Sequence, residues 1–227
     1  MTLPHITVLS LNINFKEALT PTRLQKIISL IHHHNNNPDI IFLQEVPREM
    51  VEHFLKLNNY PHHFGATFQH PYDTLILSRF PCIRYDRILL PETRSNRNLL
   101  YAQIVLPFPS SDKLIFVGTF HCDSVFSPPQ SEVLKMDQLR FISSILKGKS
   151  FIIAGDTNLL DNNQTVIQNL KEYDSSPTYK KNRFDRVFSS ITIDCSINSP
   201  AQVIGDETHS DHRGLIASFT LLNQSAQ

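Results

Sequence analysis

With 227 residues and a hydrophobic fraction of 41%, the chain has the size for one domain with a substantial core and is short for two. Its 21 basic and 21 acidic residues cancel, which excludes a molecule-wide field for nucleic acid or anionic lipid and leaves any anionic substrate to a local basic patch. Cys82, Cys122 and Cys195 lie far apart, so neither a disulfide framework nor a zinc-type cluster can be written, and the sparse thiols suit a reducing compartment.

In chain order, the opening MTLPHITVLSLNIN lacks a basic segment and is soon interrupted by polar residues. It reads as a strand, Thr7–Asn12, rather than a signal peptide, and with the thiols it sets a cytoplasmic expectation. No apolar run reaches membrane-spanning length, so no membrane insertion is expected. A helix over Thr22–His34 follows from Leu24, Ile27, Ile28 and Ile31 on one face. It ends in His32-His33-His34-Asn35-Asn36-Asn37, which suits a helix C-terminus, where His complements the dipole and Asn accepts a left-handed cap. A metal cluster is the alternative, but adjacent side chains on a helix diverge.

A strand at Asp39–Leu43, a helix at Pro47–Leu57 and a strand at Thr74–Ser78 come next. Leu99–Leu106 and Leu114–Thr119 flank a Pro/Ser loop and read as a hairpin. A helix at Ser131–Leu146, a strand at Phe151–Ala154 and a short helix near Asn163–Leu170 precede strands at Asp185–Ser189 and Leu215–Leu221. The domain is expected over residues 1–222, with Asn223–Gln227 as a frayed tail. Strands separated by helices, then strand pairs, predict a mixed-sheet α/β protein.

Along these elements, apolar runs repeatedly end on polar residues. VLSLNIN ends on Asn12 and Asn14, IIFLQEV carries Glu45, and LIFVGTFHCDS delivers His121. FIIAGDTN delivers Asp156 and Asn158, and THSDHRGLIASF places Asp211 and His212 just before a strand. In α/β sheets ligands collect beyond strand ends, and carboxylates, His and Asn converging there form the inventory for metal-assisted hydrolysis of a phosphate ester. Singly, each has a structural reading. Glu45 fits a surface position, Asp156 an N-cap or Asx turn, Ser210-Asp211-His212 a polar turn, and His121 a hydrogen-bonded core histidine. Only the set, in this order, points to chemistry. Competing schemes fail, because glycine occurs only at Gly65, Gly118, Gly148, Gly155, Gly205 and Gly214, so neither a P-loop nor a dinucleotide fingerprint fits. G-x-S-x-G and H-E-x-x-H are likewise missing from the sequence.

Two basic stretches, Arg94 with Arg97 and Lys180, Lys181, Arg183 and Arg186 around Asp185, are candidates to meet phosphate, or else solvated loops. Tyr72, Phe120, Tyr179 and Phe184 are candidates to stack on a base or tyrosyl ring, or else core and rim packing.

The motifs LNIN, LQEV, FHCDS, GDTN, RFDRV and SDH, in this order between Leu9 and Phe219, resemble the endonuclease/exonuclease/phosphatase superfamily, the metal-dependent phosphodiesterases related to DNase I and the abasic-site endonucleases. The resemblance implies an α/β fold, a four-layer α/β/β/α sandwich of two mixed β-sheets. NPDIIFLQEV, RNLL, GDTNLLD, RFDRV and SDHRGL look like the 5′-tyrosyl-DNA phosphodiesterase branch, with Thr157 its sharpest mark. The chain departs from that branch at Asn14, where an Asp is usual near the metal, and at Leu160, where Arg is usual. It also has no Trp, where the branch carries a Tyr-Thr-Trp segment for DNA. These departures bear on metal affinity and DNA-end specificity.

By resemblance, Glu45 is the principal Mg²⁺ ligand and Asp211 a direct or outer contributor, with Mn²⁺ as a substitute. Asp156 is then the group that orients and deprotonates water, and Asn12 and Asn158 hold that water or the phosphate. His121 and His212 donate hydrogen bonds to the phosphoryl oxygens. Asp185 orients His212, unless it pairs instead with Arg183 or Arg186. Tyr72, Arg97, Ser124 and Phe184 are the substrate-binding candidates. The implied reaction is Mg²⁺-dependent hydrolysis of a 5′-phosphotyrosyl or related nucleic-acid end by a monomer. The alternatives on the same fold are abasic or nicked DNA, RNA, and a phosphoinositide or sphingolipid headgroup. A binding module without catalysis has only Asn14 in its favour.

Overall fold

A computed structural model describes residues 5–17, 20–33, 37–67, 70–107, 112–124, 130–160, 167–190, 195–196 and 201–221. The first sheet is built from β1 (His5–Asn12), β2 (Ile40–Pro47), β3 (His62–Gly65), β4 (Tyr72–Ser78), β11 (Cys195–Ser196), β12 (Gln202–Ile204) and β13 (Gly214–Leu221). Its order is β11-β13-β1-β2-β4-β3, with β12 also on β13. The second sheet, in the order β5-β6-β7-β8-β10-β9, comprises β5 (Cys82–Leu89), β6 (Asn98–Leu106), β7 (Lys113–His121), β8 (Phe151–Asp156), β9 (Leu170–Tyr173) and β10 (Asp185–Ser190). The helices are α1 (Pro21–His33), α2 (Arg48–Leu55) and α3 (Gln130–Leu146).

The central strands are continuous apolar runs because both of their faces are buried. Successive side chains alternate sides. In β2, Ile40 and Phe42 enter the core between the sheets, where Val8, Ile76, Val117 and Ile152 also lie. Ile41 and Leu43 face the other way, onto Leu24, Ile27 and Ile31 of α1 and Met50 and Phe54 of α2. On the opposite side, Phe116, Phe151 and Ile153 pack with Leu139, Ile142 and Leu146 of α3. Three buried clusters thus separate four layers, the expected α/β/β/α sandwich of two mixed sheets. No described helix is long and apolar enough to cross a membrane.

The predicted hairpin is β6–β7. The predicted helix at Pro47 starts one residue later, since Pro47 is still extended and ends β2. Helix α1 ends at His33 with the next three residues outside the described set, as is the expected tail. The predicted short helix near Asn163–Leu170 is corrected in its described part. Leu170 opens β9, whose pairing with β10 overrides the helix-forming Leu-Lys-Glu composition. Strand β5 went unread because it is an edge strand with most of CIRYDRIL exposed, so it shows no apolar run.

Topology brings the candidate residues to one edge. Strands β1 and β2 are parallel, as are β7 and β8, so Asn12, Glu45, His121 and Asp156 lie at or near their C-terminal ends. Strand β10 runs antiparallel to β8, which sets Asp185 opposite Asp156. Antiparallel β13, β4 and β6 begin where β1, β2 and β7 end, and so present the segments holding His212, Tyr72 and Arg97 at the same edge. Below it the sheets are tied by Gln44 Nε2 donating to Thr119 Oγ1 (2.7 Å) and Thr74 Oγ1 donating to Asn98 Oδ1 (2.8 Å).

The glycine before Asp156 is required by this geometry. A Cβ at Gly155 would sit 2.0 Å from the Phe120 carbonyl oxygen, which the β7–β8 ladder holds in place. Gly155→Ala is therefore expected to destabilise the fold by about 3 kcal/mol, the upper range of overpacking costs. Thermal melting should register this as a fall in Tm of roughly 6–12 °C. A Tm within a degree or two of the parent would refute the close approach.

Candidate active site

The site opens as a cleft of about 390 Å³ at this edge, with Asn12, Glu45, Asp156, Asn158, Asp211 and His212 in its walls. Glu45 reaches it through a bulge. The β2–β4 register slips between Leu43 and Val46, and Glu45 adopts φ +55°. A left-handed non-glycine residue costs about 1–2 kcal/mol, and a bulge re-aims a side chain that the regular pleat would point elsewhere. Glu45 Oε2 accepts the Phe15 N–H at 3.3 Å. Among the described residues its Oε1 has no hydrogen-bond partner, with Arg97 and His121 nitrogens each 3.8 Å away.

Asp156 is 1% exposed and surrounded by donors. Asn12 Nδ2 donates to Oδ2 at 3.0 Å and the Asn158 N–H to Oδ1 at 2.7 Å. His121 Nε2 and His212 Nε2 stand 3.4 and 3.8 Å from Oδ2. Burial pushes the Asp156 carboxyl up to about 6, and the His212 charge and these hydrogen bonds limit the rise. Asn158, at φ +52°, anchors its amide by donating Nδ2 to the Cys122 carbonyl at 3.0 Å. Thr157 is buried, and its hydroxyl donates to the Phe184 carbonyl at 2.8 Å, so the turn after β8 is tied to the segment before β10.

The two histidines are held in opposite states. The Arg97 guanidinium donates to His121 Nδ1 at 2.6 Å, so that nitrogen accepts and the ring carries its proton on Nε2. Burial, then the Arg97 and His212 charges, keep the His121 pKa well below the usual range. His212 Nδ1 bonds Asp185 Oδ2 at 2.9 Å. Burial alone would depress His212, but Asp185 and Asp156 outweigh it and raise the ring to about 10. His212 is thus an imidazolium and His121 a neutral donor.

Asp185 meets His212 and not the neighbouring arginines. Arg183 and Arg186 are buried against Glu172, at 2.7 and 3.1 Å, which removes both from the basic stretch expected to meet phosphate. Lys180 from that stretch does line the cleft. Tyr179 and Phe184 stack in its wall at 5.0 Å, and both rings contact His212. Ser124 lines it too and accepts from Arg97 NH2 at 3.2 Å. Tyr72 and Arg97 lie instead in a small recess behind Glu45 and His121, with the Arg97 guanidinium 5.5 Å over the Tyr72 ring and Phe15 stacked on Tyr72 at 3.9 Å. Phe120 is fully buried against Phe188, so its stacking expectation is corrected to core packing. Asn14, at φ +50°, accepts the Lys16 N–H and donates to Glu17, which gives it a turn role where the resemblance puts an Asp.

Arg23 and Lys135 escaped the sequence reading. Arg23, 7% exposed, donates to the carbonyls of Ile13, Asn14 (3.3 Å), Glu17 (3.1 Å) and His209 (3.1 Å), which clamps the loop after β1 to the loop before β13. Lys135 donates to the Asn158 carbonyl at 2.6 Å. The legible signal was a charge within a buried helical stripe. Arg23 falls in step with Ile27 and Ile31, and Lys135 with Leu139 and Ile142.

For a metal ion, Glu45 Oε1 and the exposed Asp211 carboxylate offer oxygen donors facing the cleft, the set a hard ion such as Mg²⁺ prefers. Ligand atoms of Asp156, Asp185 and His212 also lie within 4.8 Å of one another. Within that trio His212 Nδ1 bonds Asp185 Oδ2 directly at 2.9 Å.

No curated protein matches the chain. Among solved structures it is similar to a humanized D. rerio TDP2 carrying 14 mutations, with a TM-score of 0.77, 24% identity, and 95% of this chain and 98% of that one covered. D. rerio TDP2 complexed with a single-strand DNA product gives a TM-score of 0.75 at 23% identity, covering 95% and 98%. The human Nocturnin catalytic domain gives 0.73 at 18% identity, covering 96% and 94%. These likenesses agree on the fold. The sequence model of the endonuclease/exonuclease/phosphatase family matches residues 9–212, from within β1 to the histidine paired with Asp185. The chain therefore belongs to the endonuclease/exonuclease/phosphatase family, hydrolases that act on phosphoric ester bonds.

Proposed function

We propose that the chain is a Mg²⁺-dependent phosphodiesterase that hydrolyses 5′-phosphotyrosyl or related nucleic-acid-end phosphodiesters. The observation that carries the reading is Asp156, a buried carboxylate ringed by donors, between a neutral His121 at 3.4 Å and a protonated His212 at 3.8 Å. Asp156 orients and deprotonates the attacking water, while the Asn12 and Asn158 amides, both pinned, hold that water or the phosphate. His121 Nε2–H and His212 Nε2–H donate to the phosphoryl oxygens, where negative charge grows. Glu45 and Asp211 would hold Mg²⁺, which when bound polarises the phosphoryl oxygen and offsets charge on the leaving group. A tyrosine phenol has a pKa of about 10 and leaves without a dedicated acid.

Thr157 supports the tyrosyl branch by linking the Asp156 turn to Phe184 of the aromatic wall. Leu160, 48% exposed on the rim where the branch carries Arg, favours a second reading, a nuclease of abasic or nicked DNA or of RNA. A panel of a 5′-phosphotyrosyl oligonucleotide, abasic duplex DNA and a phosphoinositide, each with Mg²⁺, separates them. Release of tyrosine and a 5′-phosphate end is expected. Cleavage of the lipid alone would overturn the nucleic-acid reading.

Metal binding has its own readout. Mg²⁺ at about a hundred times its Kd is expected to raise Tm by roughly 5–10 °C, and Glu45→Ala to abolish that shift. An unchanged shift in Glu45→Ala would remove Glu45 as the principal ligand.

A further inference from the structure

Beside Asn158, the cleft wall is the first turn of α3, a helix of 17 residues. Ser131 lies there at 3% exposure and lines the cleft, yet among the described residues its Oγ has no hydrogen-bond partner. A buried hydroxyl without a partner is an uncommon state in folded proteins and points to a missing group. One turn on, Lys135 is 4% exposed and also lines the cleft. Its Nζ donates to the Asn158 carbonyl at 2.6 Å and to Glu132 Oε1 at 2.7 Å, so a third N–H remains. The other Glu132 oxygen takes the Leu160 N–H at 3.1 Å, which directs that carboxylate to the rim. The helix N-terminus adds about half a positive charge. Lys16 lines the same cleft.

We propose that Ser131, Lys135 and the N-terminal turn of α3 form a second phosphate subsite, which takes the non-scissile phosphodiester next along a nucleic-acid strand. The inference rests on the phosphodiesterase reading above. Charge selects the ligand class. Glu132 balances Lys135, so the donors that remain face only a partial positive charge, which suits a singly charged diester better than a doubly charged monoester. The cleft, at about 390 Å³, lies in the range that holds a drug-sized ligand and has room beyond the scissile group.

The test uses the 5′-p-nitrophenyl phosphodiester of a dinucleotide and its analogue with an uncharged methylphosphonate as the internucleotide link. For the parent protein, the methylphosphonate should raise KM about tenfold, the scale of one lost hydrogen bond to a charged group. Ser131→Ala should raise KM about tenfold on the all-phosphate substrate and change it less than about twofold on the analogue, because both changes remove one interaction. Ser131→Ala should also melt no lower than the parent, since it deletes an unsatisfied polar atom. Equal KM for the two substrates with the parent protein, or additive effects, would overturn the subsite and leave the phosphodiesterase reading standing. Turnover of neither substrate by the parent would bring down both.

Discussion

Asp156→Asn is expected to lower kcat by about 10³–10⁴-fold, the upper range for loss of a general base, with KM changed by less than about threefold. Its hydrogen-bond partners and nearest histidines are donors: Asn12 Nδ2, the Asn158 N–H, His121 and His212. An arrangement of donors alone favours the ionised carboxylate, which is the form that can take a proton from water. Burial, and then the Asp185 charge, work the other way and lift the group to about 6, so the base titrates just below neutrality. Activity should therefore fall as pH drops through about 6, where Asp156 gains its proton. In Asp156→Asn that acid limb should vanish along with the rate. Steady-state kinetics from pH 4.5 to 8 on the chromogenic dinucleotide ester checks both. A variant within tenfold of the parent kcat would show that another group activates the water.

The two histidines bear on why one carboxylate would suffice in the proposed mechanism. On the proposed mechanism a protonated His212 would supply charge to the phosphoryl oxygens, while a neutral His121 would supply a hydrogen bond without competing for the Asp156 proton. Arg97 enforces that neutrality by occupying Nδ1 and adding positive charge beside a fully buried ring. In the recess its guanidinium contacts His121 and Ser124.

Much of this was legible because the buried strands are apolar through their whole length. A polar residue closing such a run has to serve a strand end, and Asn12, Glu45, His121 and Asp156 all announce themselves that way. Edge strands carried no such signal. β5 exposes Ile83, Tyr85 and Leu89 among charges, and its pattern resembles a loop. The bulge at Glu45 was illegible too, since its left-handed φ comes from pairing with β4 and not from local glycine or turn residues. Protonation was the least legible property. It depends on pairs 24 residues apart for Arg97 and His121 and 27 apart for Asp185 and His212, and no local pattern encodes either. For Asp185 the sequence left two partners open. The structure decides for His212 because Glu172, on the neighbouring strand β9, claims both arginines.

Asp185→Asn is expected to move the alkaline limb of kcat/KM from near 10 down by about one to two units, the usual effect of removing an adjacent opposite charge. The amide keeps the size of the carboxylate and can still accept from His212 Nδ1, so the ring stays in place while its charge loses its main support. At pH 8.5 the variant should then lose activity that it retains at pH 6.5. Stability follows the same sign. A histidine raised from 6.5 to about 10 contributes stability fully below pH 6.5 and loses it as pH rises through 10. The parent should melt progressively lower across that window, and Asp185→Asn should show a flatter dependence with a lower Tm at its acid end. The arrangement also admits a rival account, in which Asp156, Asp185 and His212 hold a metal ion between them. A metal site makes the opposite forecast: Asp185→Asn would raise the Mg²⁺ or Mn²⁺ concentration for half-maximal rate, and the alkaline limb would not move. Because Glu45 lies outside that trio, the metal titration of Glu45→Ala alongside Asp185→Asn assigns the ion to one side of the cleft. A shifted limb with an unchanged metal requirement leaves Asp185 with a single role, to hold His212 charged and aimed at the phosphate.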